Sequence, residues 1–423
     1  MEVRLPGTVD SSPIYLQGVE VKGASHDVIV VTTTYGKTVA IDANSGKILW
    51  VYTPPGYASW AGSDQITTAS PIADPDRRFV YTASPNGLVH KLLLRSGAEA
   101  RGGAWPVRVT LNPSREKMTP ALNIDGRYLL AATGGYYGDT PPYQGHVLAI
   151  YRGSGRVRAV FNTLCAKRRA LIDPSTCSAS DSAILSRSGP VVERGGESIL
   201  IATGNGPWNG SSNFGDSVIE LSMPSLTLRQ AYTPDDEEKL NVEDLDLGSG
   251  SPALVGEGRV LVGGKDGLLR LLDRSRLDGY APAAHRTYEE RLGGEVQQLP
   301  LPGGGELFTT PAVWRTAGGT MVFVGGERAT AAFSLREGRL RLAWQHDIAG
   351  TSPVLAGGLL YVYEPDGGGI VVYEPISGHV LRRLAGKPGH WNSPIVVSGH
   401  IVEPEGNGND HLRSGSLSIF SLR

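Results

Sequence analysis

Ala40-Ile-Asp42-Ala-Asn-Ser45-Gly46-Lys-Ile-Leu-Trp50 is the stretch that decides the fold, because weaker copies of it recur along the chain. The residues before Asp42 alternate between apolar and other side chains, which is the period of a β-strand. Asn44, Ser45 and Gly46 supply the turn residues, and a second apolar run begins directly after them. Each copy therefore predicts a β-hairpin.

The copies belong to longer units that each begin with a small residue followed by proline. Eight such pairs occur, with prolines at Pro13, Pro71, Pro120, Pro190, Pro252, Pro311, Pro353 and Pro394. A short strand, a second apolar strand that ends in a turn, and two further strands follow each pair. Four antiparallel strands in a unit of roughly 40 to 45 residues indicate a blade of a β-propeller. The sequence thus predicts an all-β, eight-bladed propeller that occupies residues 1–423 as one domain.

The two chain ends predict how the ring closes. The last unit contains only three strands of its own, whereas Glu2-Val-Arg-Leu5 precedes the first unit in the place of a fourth strand. The residues after Pro394 and those up to Pro13 together make a unit as long as the shortest blades. We therefore expect the N-terminal strand to complete blade eight, which removes two exposed sheet edges.

The pattern of Ala40, Asp42, Ser45, Gly46 and Trp50 resembles the tryptophan-docking repeat of the quinoprotein alcohol dehydrogenase-like propellers. Units of this kind cover essentially the whole chain, although only the first copy matches fully. The resemblance implies that Trp50 and Trp344 pack between blades. It also implies pyrroloquinoline quinone in the axial funnel, with calcium as a Lewis acid and an aspartate as the base for alcohol oxidation.

Composition and charge limit which kinds of molecule this protein is expected to bind. Lys and Arg number 40 against 42 Asp and Glu, and no basic block is present, so nucleic acid is not an expected partner. No apolar run is long enough for a membrane span. The first residues lack the regions of a signal peptide, so we expect a mature chain.

Cys165 and Cys177 lie in a polar segment without a strand pattern. A disulfide between them would close a short loop and contribute on the order of 3 kcal/mol. That pairing predicts a periplasmic or secreted protein, whereas two free thiols would fit the cytosol.

The long connections predict where a site lies. Residues 54–69, 135–145, 164–188, 204–215 and 234–250 lengthen the B–C and D–A connections, which share one face of a propeller; residues 273–295 lengthen the other face. Loops of that length are commonly functional. Within 234–250, Thr233 and Pro234 predict the start of a short helix, with Thr233 as its cap.

Candidate side chains lie on these connections, most of them directly before an innermost strand and therefore near the axial channel. Candidates for catalysis are Asp64, Asp181, Asp246 and His390; candidates for ligand binding are Trp60, Lys117, Tyr137, Trp208, Trp391 and His411. Asp246 and Asp181 are also the candidate ligands of a metal such as calcium. Any one of them has the alternative role of satisfying loop backbone.

Three functions remain open at this point. The first is an extracytoplasmic propeller that binds a small molecule or a protein at its loop-rich face, similar to the outer-membrane-assembly lipoprotein that shares the repeat. The second is a calcium-assisted, pyrroloquinoline quinone-dependent alcohol oxidoreductase, against which the non-adjacent cysteines count. The third is an enzyme of other chemistry in the same funnel, since fold does not dictate function.

Overall fold

A computed structural model describes residues 1–278 and 291–421. Eight four-stranded antiparallel sheets follow one another along the chain, so the predicted eight-bladed propeller is confirmed. In each blade we call the strands A to D, from the axis outward. Among the described residues, no helix has the length and apolar character that crossing a bilayer requires.

The first four blades contain their strands in chain order. Blade one consists of Ile14–Val21, Ala24–Thr32, Thr38–Asp42 and Ile48–Tyr52; blade two of Ile72–Ala73, Phe79–Ser84, Leu88–Leu93 and Val107–Arg108; blade three of Asn123–Asp125, Tyr128–Ala132, His146–Tyr151 and Val157–Asn162; blade four of Val191–Val192, Ser198–Ala202, Val218–Ser222 and Thr227–Tyr232.

Blades five to seven repeat this order, and blade eight takes its outer strand from the other end of the chain. Blade five consists of Ala253–Gly256, Arg259–Gly263, Leu268–Asp273 and Gln297–Pro300; blade six of Ala312–Thr316, Gly319–Gly325, Thr330–Arg336 and Arg339–His346; blade seven of Val354–Ala356, Leu359–Tyr363, Ile370–Tyr373 and Val380–Leu384; blade eight of Ile395–Val397, His400–Glu405, Gly415–Ser421 and Glu2–Leu5.

The N-terminal strand closes the ring, as predicted. Glu2–Leu5 runs antiparallel to Gly415–Ser421, and Val3 lies opposite Leu417. Val3 and Leu5 are buried, while Arg4 between them is exposed. The alternation of a strand therefore turns the two apolar side chains into the seam between blades eight and one.

The core consists of eight apolar layers, one between each pair of neighbouring blades. In strand B of blade one, Val28 and Val30 face blade two, while Ile29 and Val31 face blade eight. Both faces of the sheet are buried in this way, which explains why the strand is a continuous apolar run.

The repeated tryptophan and glycine are two halves of one inter-blade contact. Trp50 Nε1 donates to the carbonyl of Leu94 at 2.8 Å, and the indole covers Gly97 of the next blade. A Cβ at Gly97 would lie 2.5 Å from the ring, at a φ of +71°. Trp344 covers Gly378 in the same way. The structural role predicted for these tryptophans is confirmed.

Two connections have structure of their own. Cys165 and Cys177 are joined in a disulfide, as predicted. The helix Glu237–Glu243 is the only α-helix within the described ranges, and its cap is Asp236. The prediction that Thr233 caps this helix was wrong. The helix begins later, at Glu237, and the Thr233 hydroxyl instead shares a hydrogen bond of 2.6 Å with the Ser217 hydroxyl.

Single 3₁₀ turns occupy other connections: Tyr57–Ser59, Pro174–Thr176, Leu247–Ser249, Arg274–Arg276 and Gly408–Asp410. The short strands Glu116–Lys117 and Gly134–Gly135 pair with each other outside the blades. Of the long connection predicted at 273–295, residues 279–290 lie outside the described part of the chain.

Candidate functional site

One position in each repeat supplies an inner ring of side chains. It is the third residue before the proline that begins a unit, so it ends the D–A connection just ahead of the innermost strand. We call these residues the inner ring: Asp10, Thr68, Lys117, Arg187, Ser249, Phe308, Gly350 and Trp391. Five of the eight line one cavity of about 570 Å³: Lys117, Arg187, Ser249, Phe308 and Trp391.

This axial cavity has the size of a small-molecule site. Asp246, Lys265 and Tyr143 complete much of its wall. A second chamber of about 480 Å³ adjoins it, and both chambers are lined by Lys117, Tyr136, Tyr137 and Asn409. Lys117 therefore lies where the two chambers meet.

An ion pair crosses the channel. Arg187 Nη1 lies 3.0 Å from Asp10 Oδ1, and His390 Nδ1 lies 2.9 Å from Asp10 Oδ2. The Gly408 amide donates to the same Oδ2 at 2.9 Å. Burial alone would raise the pKa of Asp10, but the charges of Arg187 and His390 outweigh it and hold that pKa far below its usual range. Asp10 is thus a fixed anion that neutralises Arg187.

Lys117 is held by a firmly anchored backbone. Glu116 and Lys117 pair with Gly134–Gly135. The buried Glu116 carboxylate lies 3.0 Å from His146 Nε2 and accepts the Gln144 amide at 3.1 Å. Successive side chains of a strand point to opposite faces, so the anchoring of Glu116 directs Lys117 into the cavity.

Lys117 differs from the other cations of the cavity in its contacts. In the described ranges, no carboxylate lies within ion-pair distance of its Nζ, whereas Arg187, Lys265 and His390 each have one. Burial and, after it, the charge of Arg187 lower the pKa of Lys117, and Asp10 opposes the shift; the pKa that results is about 8.

A second lysine of the cavity is fully engaged. Lys265 Nζ lies 2.5 Å from Asp246 Oδ2 and 3.1 Å from Asp244 Oδ1. Asp246 Oδ1 accepts the Asn205 amide at 2.8 Å. Burial would lower the pKa of Lys265, but the two carboxylates reverse the shift and raise it, so this ammonium stays charged.

Aromatic side chains form the remaining wall. Phe308 and Trp391 are stacked, with ring centroids 4.9 Å apart and planes 29° apart. Tyr136 donates to the carbonyl of Pro113 at 2.9 Å, and Tyr143 donates to Asp139 at 2.6 Å. Burial raises the pKa of both tyrosines, which therefore remain neutral phenols.

The structure brings many of the predicted residues together. Lys117, Tyr137, Asp246, His390 and Trp391 line the axial cavity. Asp64 and His411 line the second chamber, where His411 Nε2 lies 3.3 Å from Asp64 Oδ1.

Three predicted residues lie elsewhere. Asp181 is half-buried behind the wall, and its backbone amide donates to Tyr143 O at 3.0 Å. Trp60 packs on Tyr35, and its Nε1 donates to the Tyr35 carbonyl at 3.1 Å, so it supports a loop instead of facing the cavity. Trp208 packs in the layer between blades three and four.

Several residues of the site were not predicted: Asp10, Arg187, Ser249, Lys265 and Phe308. Four of them belong to the inner ring, so counting three residues back from each proline would have found them. Lys265 has no such signal, because it lies on a B–C connection and reaches Asp246 only in the folded ring.

The residues present do not fit a calcium ion beside Asp246. The carboxylate that would bind it already holds Lys265 Nζ, and Asp181 does not line the cavity. Within residues 1–278 and 291–421, no three metal-ligating side chains are grouped to hold a metal. Lys117 and the Phe308–Trp391 pair line the same space.

The fold defines the chain as a propeller of pyrroloquinoline quinone-type repeats. It belongs to the family described as PQQ_2, outer membrane protein assembly factor BamB, whose model matches residues 8–206 and 216–383. No curated protein matches the sequence.

Solved structures share the fold at low identity. The quinohemoprotein alcohol dehydrogenase from Comamonas testosteroni aligns with a TM-score of 0.68 at 13% identity, over 100% of this chain and 76% of that one. BamB from Moraxella catarrhalis gives 0.59 at 13%, over 100% and 98%. A europium-containing methanol dehydrogenase gives 0.63 at 15%, over 92% and 84%.

Proposed function

We propose that this protein is a periplasmic or secreted propeller that binds a small, planar, anionic molecule in its axial cavity. The observation that carries the proposal is Lys117: its ammonium has no carboxylate within ion-pair distance in the described ranges, and it lines the same cavity of about 570 Å³ as a stacked aromatic pair. The disulfide between Cys165 and Cys177 supports the extracytoplasmic location.

The surroundings of the Lys117 amine favour a negative group on the ligand. Asp10 pairs with Arg187, and Asp244 and Asp246 pair with Lys265. Among the lysines and arginines that line the axial cavity in the described part of the chain, only Lys117 has no carboxylate within ion-pair distance. An uncompensated ammonium in a half-buried position is costly, so an anion that pairs with it gains more there than in water.

The aromatic pair favours a planar ligand. Trp391 and Phe308 already stack on each other and line the cavity with Trp391 next to His390. Aromatic walls with a few convergent polar groups give a flat ligand both apolar contact and a fixed orientation.

A quinone oxidoreductase is a second candidate. Pyrroloquinoline quinone is itself a planar anion, and two of the similar structures carry the names of a quinohemoprotein alcohol dehydrogenase and a methanol dehydrogenase. Because Lys265 occupies the place beside Asp246, we expect any such binding to be independent of calcium.

A protein partner is the third candidate, in line with the family's description as an assembly factor. Tyr137 favours it: this side chain is 90% exposed at the rim shared by both chambers. A large exposed aromatic residue beside a cavity is a common feature of protein-binding surfaces.

Calorimetric titration with pyrroloquinoline quinone and with pyridoxine 5′-phosphate tests the proposal, with uncharged pyridoxine as the control ligand. We expect the two anions to bind and to keep binding in the presence of a calcium chelator. Lys117→Met should weaken the binding of both anions at least about tenfold, because it removes one charge-assisted hydrogen bond. Lys47→Met is the matched control, since Lys47 is exposed on a C–D turn of blade one.

Two results would contradict the proposal. One is that pyridoxine binds as tightly as its phosphate. The other is that Lys117→Met binds both anions as the wild type does.

A further inference from the structure

Lys117 differs from two other lysines with restricted exposure, Lys265 and Lys91, in the contacts and position of its amine. Lys265 lines the same cavity but is held charged between Asp244 and Asp246. Lys91 donates to the carbonyl of Arg152 at 3.0 Å, outside the cavity. Lys117 can be approached from two chambers, and its amine has no carboxylate within ion-pair distance among the described residues.

We propose that Lys117 is a nucleophile that condenses with an aldehyde or ketone group of the anionic ligand to form an imine. The inference rests on the proposed function, because the ligand must first bind in the axial cavity beside the charged Lys117; the imine then forms once that ammonium has given up its proton to solvent. It adds that the ligand carries a carbonyl group and is held covalently.

The reaction balances without any further reagent. The neutral amine of Lys117 attacks the carbonyl carbon, so that a carbon–nitrogen bond forms and the oxygen takes up a proton. Both amine hydrogens then leave with that oxygen as water, and the carbon–nitrogen double bond remains. A buried lysine near another cation is a recognised setting for such chemistry.

Charged and titratable groups surround this amine. Those of the axial cavity are Asp10, Asp139, Tyr136, Tyr143, Arg187, Glu243, Asp244, Asp246, Lys265, Glu306 and His390, and those of the second chamber are Asp64, Arg115 and His411. Burial and the charge of Arg187 lower the pKa of Lys117 from 10.5 to about 8. The neutral, reactive form therefore accumulates as the pH rises through about 8, well before an ordinary lysine loses its proton.

The backbone on both sides of Lys117 is held in place by hydrogen bonds. The Glu116–Lys117 strand is fixed by the Glu116–His146 contact of 3.0 Å. On the other side, the carbonyl of Met118 accepts the Thr67 hydroxyl at 2.8 Å. With both neighbours of Lys117 anchored, little chain entropy is lost when the amine meets a bound carbonyl.

The test uses pyridoxal 5′-phosphate, a planar anion with an aldehyde, and pyridoxine 5′-phosphate, which has the same shape and charge but an alcohol. The full chain is incubated with each, reduced with borohydride, digested and analysed by peptide mass spectrometry. We expect a pyridoxal adduct at Lys117, at least about tenfold more abundant than at Lys47 or Lys265, with a pH midpoint near 8. We expect no adduct with pyridoxine 5′-phosphate.

Lys117→Arg keeps the positive charge but cannot form an imine, so it should abolish the cavity adduct. Pyridoxine 5′-phosphate binding by the wild type, measured in parallel, separates the two proposals. Binding without an adduct at Lys117, or an adduct spread evenly over exposed lysines, would overturn the imine and leave the anion site standing. No binding of either phosphate would overturn both.

Discussion

Arg187 of blade four reaches across the central channel to Asp10 of blade one, with Nη1 3.0 Å from Oδ1. The two residues occupy the same inner-ring position of repeats that are not neighbours in the ring. Their contact therefore ties together two blades that are three places apart in the ring, and Arg187 also lines the cavity in which Lys117 lies. The same position of two repeats thus supplies the two partners of an ion pair across the channel.

Arg187→Met should destabilise the fold by about 3 kcal/mol, because it leaves the buried Asp10 carboxylate with a weaker set of partners. Urea unfolding of the variant measures the loss. Asp10→Asn combined with Arg187→Met provides the control, since removing both charges should cost less than the sum of the single changes. Additive costs would show that the two side chains do not act as a pair.

Gly97→Ala should destabilise more than Gly23→Ala. Both glycines have a positive φ, +71° and +85°, so both replacements carry a backbone strain of about 1 kcal/mol. Only at Gly97 would the new Cβ meet Trp50, at 2.5 Å, whereas Gly23 has open space. We expect Gly97→Ala to lose about 2 kcal/mol more in urea unfolding. Equal losses would mean that the tryptophan moves aside without cost.

The sequence predicted the parts of the structure that repeat. Prolines at regular positions, the Trp50 pattern and an unpaired N-terminal strand define blades, their contacts and the closure, because each is a local signal or a repeat of one. Cys165 and Cys177 were found for a similar reason, being close in sequence.

The side chains of the site were harder to predict, because a connection fixes where a backbone lies and not where its side chain points. Trp60 lies on a D–A connection as Lys117 does. Its Nε1 donates to the Tyr35 carbonyl, however, so the indole packs on Tyr35 and does not line the cavity. Arg187 and Lys265 acquire their partners only from other blades or connections. These contacts engage the neighbouring carboxylates and leave Lys117 without an ion pair in the described part of the chain, which was not visible in the sequence.

Leu5→Ala tests the closure of the ring. Leu5 is buried in the layer between blades eight and one, so its truncation should cost about 3 kcal/mol in the free energy of unfolding. Arg4→Ala on the exposed side of the same strand should change stability by less than about 0.5 kcal/mol. A Leu5 variant as stable as the Arg4 variant would show that this strand contributes little to the seam.

Replacing Cys165 and Cys177 together by serine should lower the free energy of unfolding by about 3 kcal/mol, because the unfolded chain regains the entropy that the closed loop had removed. Reducing the wild type with dithiothreitol should lower its urea midpoint to that of the double variant. Labelling with iodoacetamide should find no reactive thiol before reduction. Two thiols that react in the folded, unreduced protein would contradict the disulfide.

Glu403 predicts how stability depends on pH. Neither of its buried carboxylate oxygens has a hydrogen-bond partner in the described part of the chain. Burial, together with the charge of Glu405, raises the pKa of Glu403 from 4.5 to about 8. The folded protein therefore keeps a proton that the unfolded chain releases, so this group's contribution to stability is complete below about pH 4.5 and declines as the pH rises to about 8.

Glu403→Gln keeps the shape of the side chain and removes this titration. The variant should match the wild type at pH 5 and exceed its free energy of unfolding at pH 9 by more than about 1 kcal/mol, since each unit of pKa shift corresponds to about 1.4 kcal/mol. Urea unfolding at both pH values measures the difference. Glu337→Gln is the control, because Glu337 is 87% exposed and should leave the pH profile unchanged. If the free energies of unfolding of Glu403→Gln and the wild type differ by the same amount at pH 5 and at pH 9, Glu403 ionises in the folded state as an ordinary carboxylate.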